Sequence, residues 1–183
     1  MYGKVKYRKM SLRGDRMPKR IRMSLSLQEK DVDFPFALTP AKETLLVEIA
    51  EAMLDAYEGT VDDEGENLSQ TLDELKRLFS GAYGPLMEEA SYLVMEGNQV
   101  MSALLTCLYR GEPTITYTFT RKEAQRLGYA TALIAKAEEG LYKNGYRSMF
   151  LYVTVENTPA LRLYEALGFI EVPLTTVNGL HLD

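Results

Sequence analysis

Histidine, cysteine and long apolar runs are nearly missing from this chain of 183 residues. Its one cysteine, Cys107, has no second thiol to pair with, so no internal disulfide is expected, and a reducing, cytoplasmic setting fits. Its one histidine, His181, carries no mark of being that thiol's partner, and Cys107 lies within the apolar-rich run from Leu104 to Leu108. The expected role of Cys107 is therefore a buried structural thiol rather than a nucleophile. No metal site is expected. No apolar stretch approaches the roughly twenty residues needed to span a bilayer, and no hydrophobic signal core opens the sequence, so no membrane partner is expected.

Acidic side chains are almost absent from the first 22 residues. There Lys4, Lys6, Arg8, Lys9, Arg13, Arg16, Lys19, Arg20 and Arg22 stand against Asp15 alone, while the remainder is strongly acidic and the whole chain carries a formal charge of -5. Such asymmetry fits either nucleic-acid contact or a basic hairpin docked on its own acidic domain. The second reading is preferred, because no stacking aromatics beyond Tyr2 and Tyr7 are interleaved with the charges. With 46% hydrophobic residues the chain can bury a substantial core as a single domain.

Period-two alternation of Val5 and Tyr7, then of Ile21, Met23, Leu25 and Leu27 after the turn Arg13-Gly14-Asp15, predicts a two-stranded hairpin. The organisation expected from this is a basic extension over 1–37 followed by a domain over 38–183. From Thr39 and Pro40, read as N-cap and first turn, apolar residues at helical spacing from Leu45 to Tyr57 predict a helix that stops at Gly59. Leu72, Leu75, Leu78 and Phe79 give a second helix, starting near Leu68. Three strands follow at 92–96, 100–108 and 114–120, with turns at Gly97-Asn98 and through Gly111 and Pro113. On the last strand, alternation puts Ile115, Tyr117 and Phe119 on one face and the threonines on the other. A third helix over 128–143, a strand over 149–155, a short helix from 158 to 168 and a strand from Phe169 complete the order, with a last strand expected near His181. There is no internal repeat.

Two constellations carry chemistry. In Gln125-Arg126-Leu127-Gly128-Tyr129-Ala130-Thr131 a helix opens through Gly128 and Ala130. Small side chains there let an anion reach backbone N–H groups that have no intrahelical partner and sit at the positive end of the helix dipole. Arg121, Lys122 and Arg126 add charge nearby. Alone, such a turn is met at many strand-to-helix junctions. The second constellation, Asn157-x-x-Ala160-x-x-Leu163-Tyr164-Glu165-x-x-Gly168-Phe169, follows about thirty residues on.

As an ordered pair these motifs resemble the GNAT superfamily of acyl-CoA-dependent N-acetyltransferases, over roughly residues 88 to 172. The resemblance implies an α+β fold with a mixed, mostly antiparallel central sheet flanked by helices, and acetyl-CoA as acyl donor. It implies that Thr118, Phe119 and Thr120 meet the pantetheine and acetyl carbonyl through their backbone. It further implies that Gln125, Arg126, Leu127, Gly128, Tyr129, Ala130 and Thr131 cradle the pyrophosphate, that Asn157 reaches the pantetheine arm, and that Tyr164 lies near the coenzyme sulfur. Lys122 stands where a proline is frequent, Thr118 and Thr120 replace the usual aliphatic residues, and Thr114 stands about where some relatives place a catalytic Glu.

Acetyl transfer to an amine needs a neutral amine, a polarised carbonyl and a proton for the leaving thiolate. A backbone N–H of the 118–120 segment is suited to the second task and the Tyr164 phenol to the third. The proton acceptor stays open between Glu112, Glu123, Tyr117 and a water chain. Thr158 is expected to cap the helix before Pro159, leaving the Asn157 side chain for the cofactor. The acidic run Asp62, Asp63, Glu64 and Glu66 is expected either to draw in a cationic acceptor or to be a solvated linker or dock for the basic segment. Two functions remain: an N-acetyltransferase for a primary amine, and a non-catalytic acyl-CoA sensor. A homodimer is left open.

Overall fold

The computed structural model describes residues 19–174, 176–177 and 180–181. The first half of the expected N-terminal hairpin, and with it the docking of the basic segment, lies outside the described residues. The second half is strand β1, Arg20–Ser26. It is followed by β2 (Leu38–Pro40), α1 (Leu46–Tyr57), α2 (Leu68–Phe79), β3 (Tyr92–Glu96), β4 (Gln99–Tyr109), β5 (Glu112–Thr120), α3 (Tyr129–Lys143), β6 (Ser148–Thr154), α4 (Thr158–Ala166) and β7 (Ile170–Val172). A small pair, β8 (Thr176–Val177) and β9 (Leu180–His181), lies apart from the main sheet.

Seven strands form one sheet in the order β2-β3-β4-β5-β6-β1-β7. Only β5 and β6 run parallel, joined by the crossover through α3. β1 sits between β6 and β7 and is antiparallel to both, so the N-terminal strand is an interior member of the sheet. Its odd residues explain the placement: Met23, Leu25 and Leu27 are buried in the core formed with α3 and α4. A strap over 27–37 then runs to the far edge, tied to α3 by Lys30–Glu138 at 2.6 Å and by Phe36 edge-on to Tyr129 at 4.9 Å between ring centres. The other face of the sheet packs on α1 and α2 through Ile49, Met53, Leu75, Leu78, Tyr117 and Phe119.

Two expectations are corrected. Thr39 and Pro40 do not open a helix but lie in β2, an edge strand paired with β3, where a proline without an N–H is tolerated. Helix α1 starts later, at Leu46. Alternation also fails along β5, because Leu105 pairs with Tyr117 while Thr106 pairs with Ile115. Thr116 is therefore an extra, bulged residue, and it sends Ile115 to the α3 side while Tyr117 and Phe119 go to the α1 side.

Asn67 and Gln70 form a capping box on α2, the pattern that starts this helix after an acidic loop. Cys107 is fully buried in the core under α1 and α2, and burial pushes its thiol pKa up. Among the described residues no helix is long and apolar enough to cross a membrane, and no group of three or more His, Cys, Asp or Glu is placed to hold a metal ion.

Candidate active site

The site begins where the parallel pair comes apart. β5 and β6 pair only at Thr114 with Phe150 and Ile115 with Leu151, and after the Thr116 bulge the two strands diverge. Backbone groups along the rest of β5 alternate between edges. The Arg121 N–H donates to the Met101 carbonyl of β4, so the N–H and C=O groups of Thr118 and Thr120 turn the other way, into the gap. The Thr118 carbonyl accepts the Tyr57 hydroxyl at 3.4 Å, from the last turn of α1. An extended ligand arm can pair with such an edge as an added strand would.

Beyond β5 the chain makes a short turn at Lys122–Ala124 and enters α3. Arg126 (φ 67°) and Gly128 (φ 83°) both adopt the left-handed conformation, which folds the loop back on itself before the helix starts. Nothing lies within 4 Å of where a Gly128 Cβ would be, so the start of this 15-residue helix is open on that side. Phosphate oxygens fit such a helix start. Leu127 is exposed, Gln125 half-buried, Arg126 and Thr131 exposed, and Ala130 buried. Tyr129 turns aside to Phe36 and donates its hydroxyl to Glu96 at 2.9 Å. The loop is anchored to α1: the Lys122 N–H donates to Asp55 at 2.8 Å and its ammonium to Glu58 at 2.6 Å.

On the other wall of the gap stand Thr154, Asn157 and Tyr164. Asn157, not Thr158, caps α4: its Oδ1 accepts the Ala160 N–H at 3.2 Å, and Thr158 is already helical. Nor is its amide group uncommitted, since Nδ2 donates to Asp62 Oδ2 at 2.7 Å. Thr154 donates to Asp62 Oδ1 at 2.9 Å. Asp62 is thus separated from its acidic neighbours, only 6% exposed, and spans from the loop after α1 to the start of α4. No spacing signal in the sequence distinguishes it from Asp63 and Glu64. Tyr164 is buried, edge-on to Phe169 at 5.5 Å between ring centres. Burial, reinforced by the nearby Asp62 carboxylate and Tyr164, raises the Tyr57 pKa well above that of a free phenol.

Of the residues expected from sequence, Thr118, Asn157 and Tyr164 meet at this gap, joined by Tyr57, Asp62 and Thr154. Phe119 does not join them: its backbone carbonyl turns to β4, where it accepts the Ser102 hydroxyl at 2.9 Å, and its side chain packs beside Tyr57 in the core under α1. None of the three side chains considered as proton acceptor stands there. Glu112 lies before the paired stretch and bonds Arg22 at 2.6 Å, and Glu123 is exposed on the turn after β5. The Tyr117 hydroxyl is buried against Glu74 at 2.5 Å, and its pKa is driven well up by burial and by that carboxylate. A cavity of about 420 Å³ adjoins the gap through Tyr57 and is lined by Asp55, Glu58, Asp63 and Glu66.

A mixed sheet opened between its two parallel strands, with an exposed helix start on the loop between them, defines an α+β acyltransferase architecture. The chain belongs to the GNAT acetyltransferase family: the profile described as "Acetyltransferase (GNAT) family" matches residues 47–169. No curated protein matches it. Among solved structures it resembles a GCN5-related N-acetyltransferase from Sphaerobacter thermophilus, with a TM-score of 0.65 and 19% identity over 85% of this chain and 50% of that one. It also resembles aminoglycoside antibiotic 6'-N-acetyltransferase from Acinetobacter haemolyticus (TM-score 0.58, 17% identity, 81% of this chain and 100% of that one). A third is the ribosomal-protein-S18-alanine N-acetyltransferase from Escherichia coli (TM-score 0.59, 20% identity, 75% of this chain and 79% of that one). The chain spans half the length of the first of these relatives.

Proposed function

We propose that this protein is an N-acetyltransferase that moves an acetyl group from acetyl-CoA to a primary amine. The observation that carries the reading is the divergence of β5 from β6 after Ile115 and Leu151, directly before the open start of α3. A ligand with an extended, hydrogen-bonding arm and a pyrophosphate tail matches both features together. The Gln125–Thr131 loop would hold the pyrophosphate through first-turn N–H groups, and the Thr118 and Thr120 backbone would pair with the arm. Bound acetyl-CoA supplies the activated thioester. A backbone N–H on the gap side of β5 is suited to hold negative charge as it develops on the carbonyl oxygen, and the Tyr164 hydroxyl to give a proton to the departing sulfur.

The first test is binding. Acetyl-CoA at one hundred times its dissociation constant is expected to stabilise the protein by about 2.7 kcal/mol, read as a rise in Tm. Gly128→Glu places a carboxylate where the pyrophosphate would sit and should abolish that rise. A full acetyl-CoA shift in this variant would place the anion site elsewhere. Release of CoA thiol against a panel of amines then separates an enzyme from an acyl-CoA sensor, which would bind without turnover.

The acceptor proposed is cationic. Four carboxylates line the cavity beside Tyr57, and a positive amine is drawn to such a mouth by long-range attraction that salt screens. Neutralising Asp63 and Glu66 to Asn and Gln should raise KM for the amine and flatten its dependence on ionic strength, with acetyl-CoA binding unmoved. An unchanged amine KM would remove this part of the proposal.

A further inference from the structure

Asp62 is buried at the gap and its carboxylate is held there by neutral groups. Its carboxylate accepts from two neutral donors, the Thr154 hydroxyl and the Asn157 amide, and its backbone N–H donates to the Thr60 hydroxyl. Removing a carboxylate from water is costly unless an ion pair compensates it, and none involves Asp62 among the described residues. The position is also specific. An amide nitrogen carries two hydrogens, so Asn157 can hold Asp62 with one and offer the other to an arm lying in the gap. Asp62 would then be the neighbour of that arm on the side of the α1 loop, next to the acidic cavity.

We infer that Asp62 is the group that accepts the proton of the attacking amine, an assignment that rests on the acetyltransferase reading above. The amine nitrogen bonds to the thioester carbonyl carbon as the carbon–sulfur bond breaks. The nitrogen's proton passes to the Asp62 carboxylate, and the departing sulfur takes the Tyr164 proton. Asp62 then releases its proton to water and Tyr164 recovers one from water, which cancel, so the one proton released for each ammonium acetylated is the one shed to water when the neutral amine forms before attack. Asp62 shares the surroundings of the Tyr57 phenol from α1 with two further ionisable groups, Tyr164 from α4 and Arg20 from β1, which lies opposite Thr154 in the sheet. Asp62 comes from the segment between α1 and α2, on the acceptor side, rather than from β5.

The test is Asp62→Asn, with Asp62→Glu as the conservative control. The Asn variant keeps the shape, and because the Thr154 hydroxyl can accept as well as donate, both hydrogen bonds can re-form. Its acetyl-CoA-induced rise in Tm is expected to match wild type. Its kcat is expected to fall 10²- to 10⁴-fold, with kcat/KM for the amine falling in step. Asp62→Glu should restore at least a tenth of the activity. Turnover in Asp62→Asn within threefold of wild type would overturn the assignment, and so would a fall in kcat accompanied by loss of the acetyl-CoA-induced rise in Tm, since that is what a loop staple alone would give. If wild type neither binds acetyl-CoA nor releases thiol from it, the acetyltransferase reading itself fails and takes this one with it.

Discussion

Replacing Tyr164 by phenylalanine is expected to lower kcat by 10²- to 10⁴-fold while leaving the acetyl-CoA-induced rise in Tm as large as in wild type. The ring is buried and packs edge-on to Phe169, on the face of α4 that also buries Ala160. Phenylalanine preserves that packing, and the variant differs only by one hydroxyl. Loss of a buried hydrogen bond by itself costs about 1 kcal/mol of stability, which melting of the unliganded protein measures separately. A proton donor used only as the carbon–sulfur bond breaks should reduce kcat and kcat/KM together, whereas a core aromatic should change neither. Single-turnover rates with saturating acetyl-CoA decide between them, and an unchanged chemical step would return Tyr164 to a packing role.

The second large effect concerns stability. Gly140→Ala is expected to destabilise the fold by at least about 2 kcal/mol, although alanine in a helix interior is normally favoured over glycine by about 1 kcal/mol. A Cβ at Gly140 would lie 1.9 Å from the Glu89 carbonyl oxygen. That atom is backbone, in the turn Glu88–Ala90, and cannot rotate away as a side chain would. Helix α3 must therefore move off the turn or the turn off β4, and either shift opens the core around Leu133, Ala137 and Leu141. Gly128→Ala is the informative contrast. It meets nothing within 4 Å and pays only for its left-handed backbone, roughly 1–2 kcal/mol. Urea unfolding of both variants should rank Gly140→Ala as the more damaging; equal or reversed midpoints would show that α3 has slack against the turn.

Much of the architecture was legible because it is local. The apolar stripe Ala130, Leu133, Ile134, Ala137 and Leu141 is read from a period of 3.6 residues, and all five are buried in α3. Turn residues located the meander of β3, β4 and β5, and the paired motifs located the helix start and the α4 segment. What escaped depends on pairing between distant segments. A period-two pattern marks Ile21 to Leu27 as a strand without saying which strands it joins, and its place between β6 and β7 is set only by the sheet. Alternation cannot reveal a bulge, because the extra residue Thr116 is defined only against its partner strand.

The same division runs through the site. Gly128, Asn157 and Tyr164 could be singled out because the ordered pair of motifs that contains them resembles the GNAT pattern. Asp62 could not, since in the chain it is one of four neighbouring acids. Residue types and periods determined the helices, most of the strands and the candidate anion-binding turn, because those follow from side-chain shape and hydrogen bonding within a few residues. Only tertiary structure decided that the pairing of β5 with β6 ends after two residue pairs, and that a carboxylate 92 residues before Thr154 closes on the gap between them. Such contacts depend on where the packed sheet and helices leave two distant backbones, a property that no local pattern encodes.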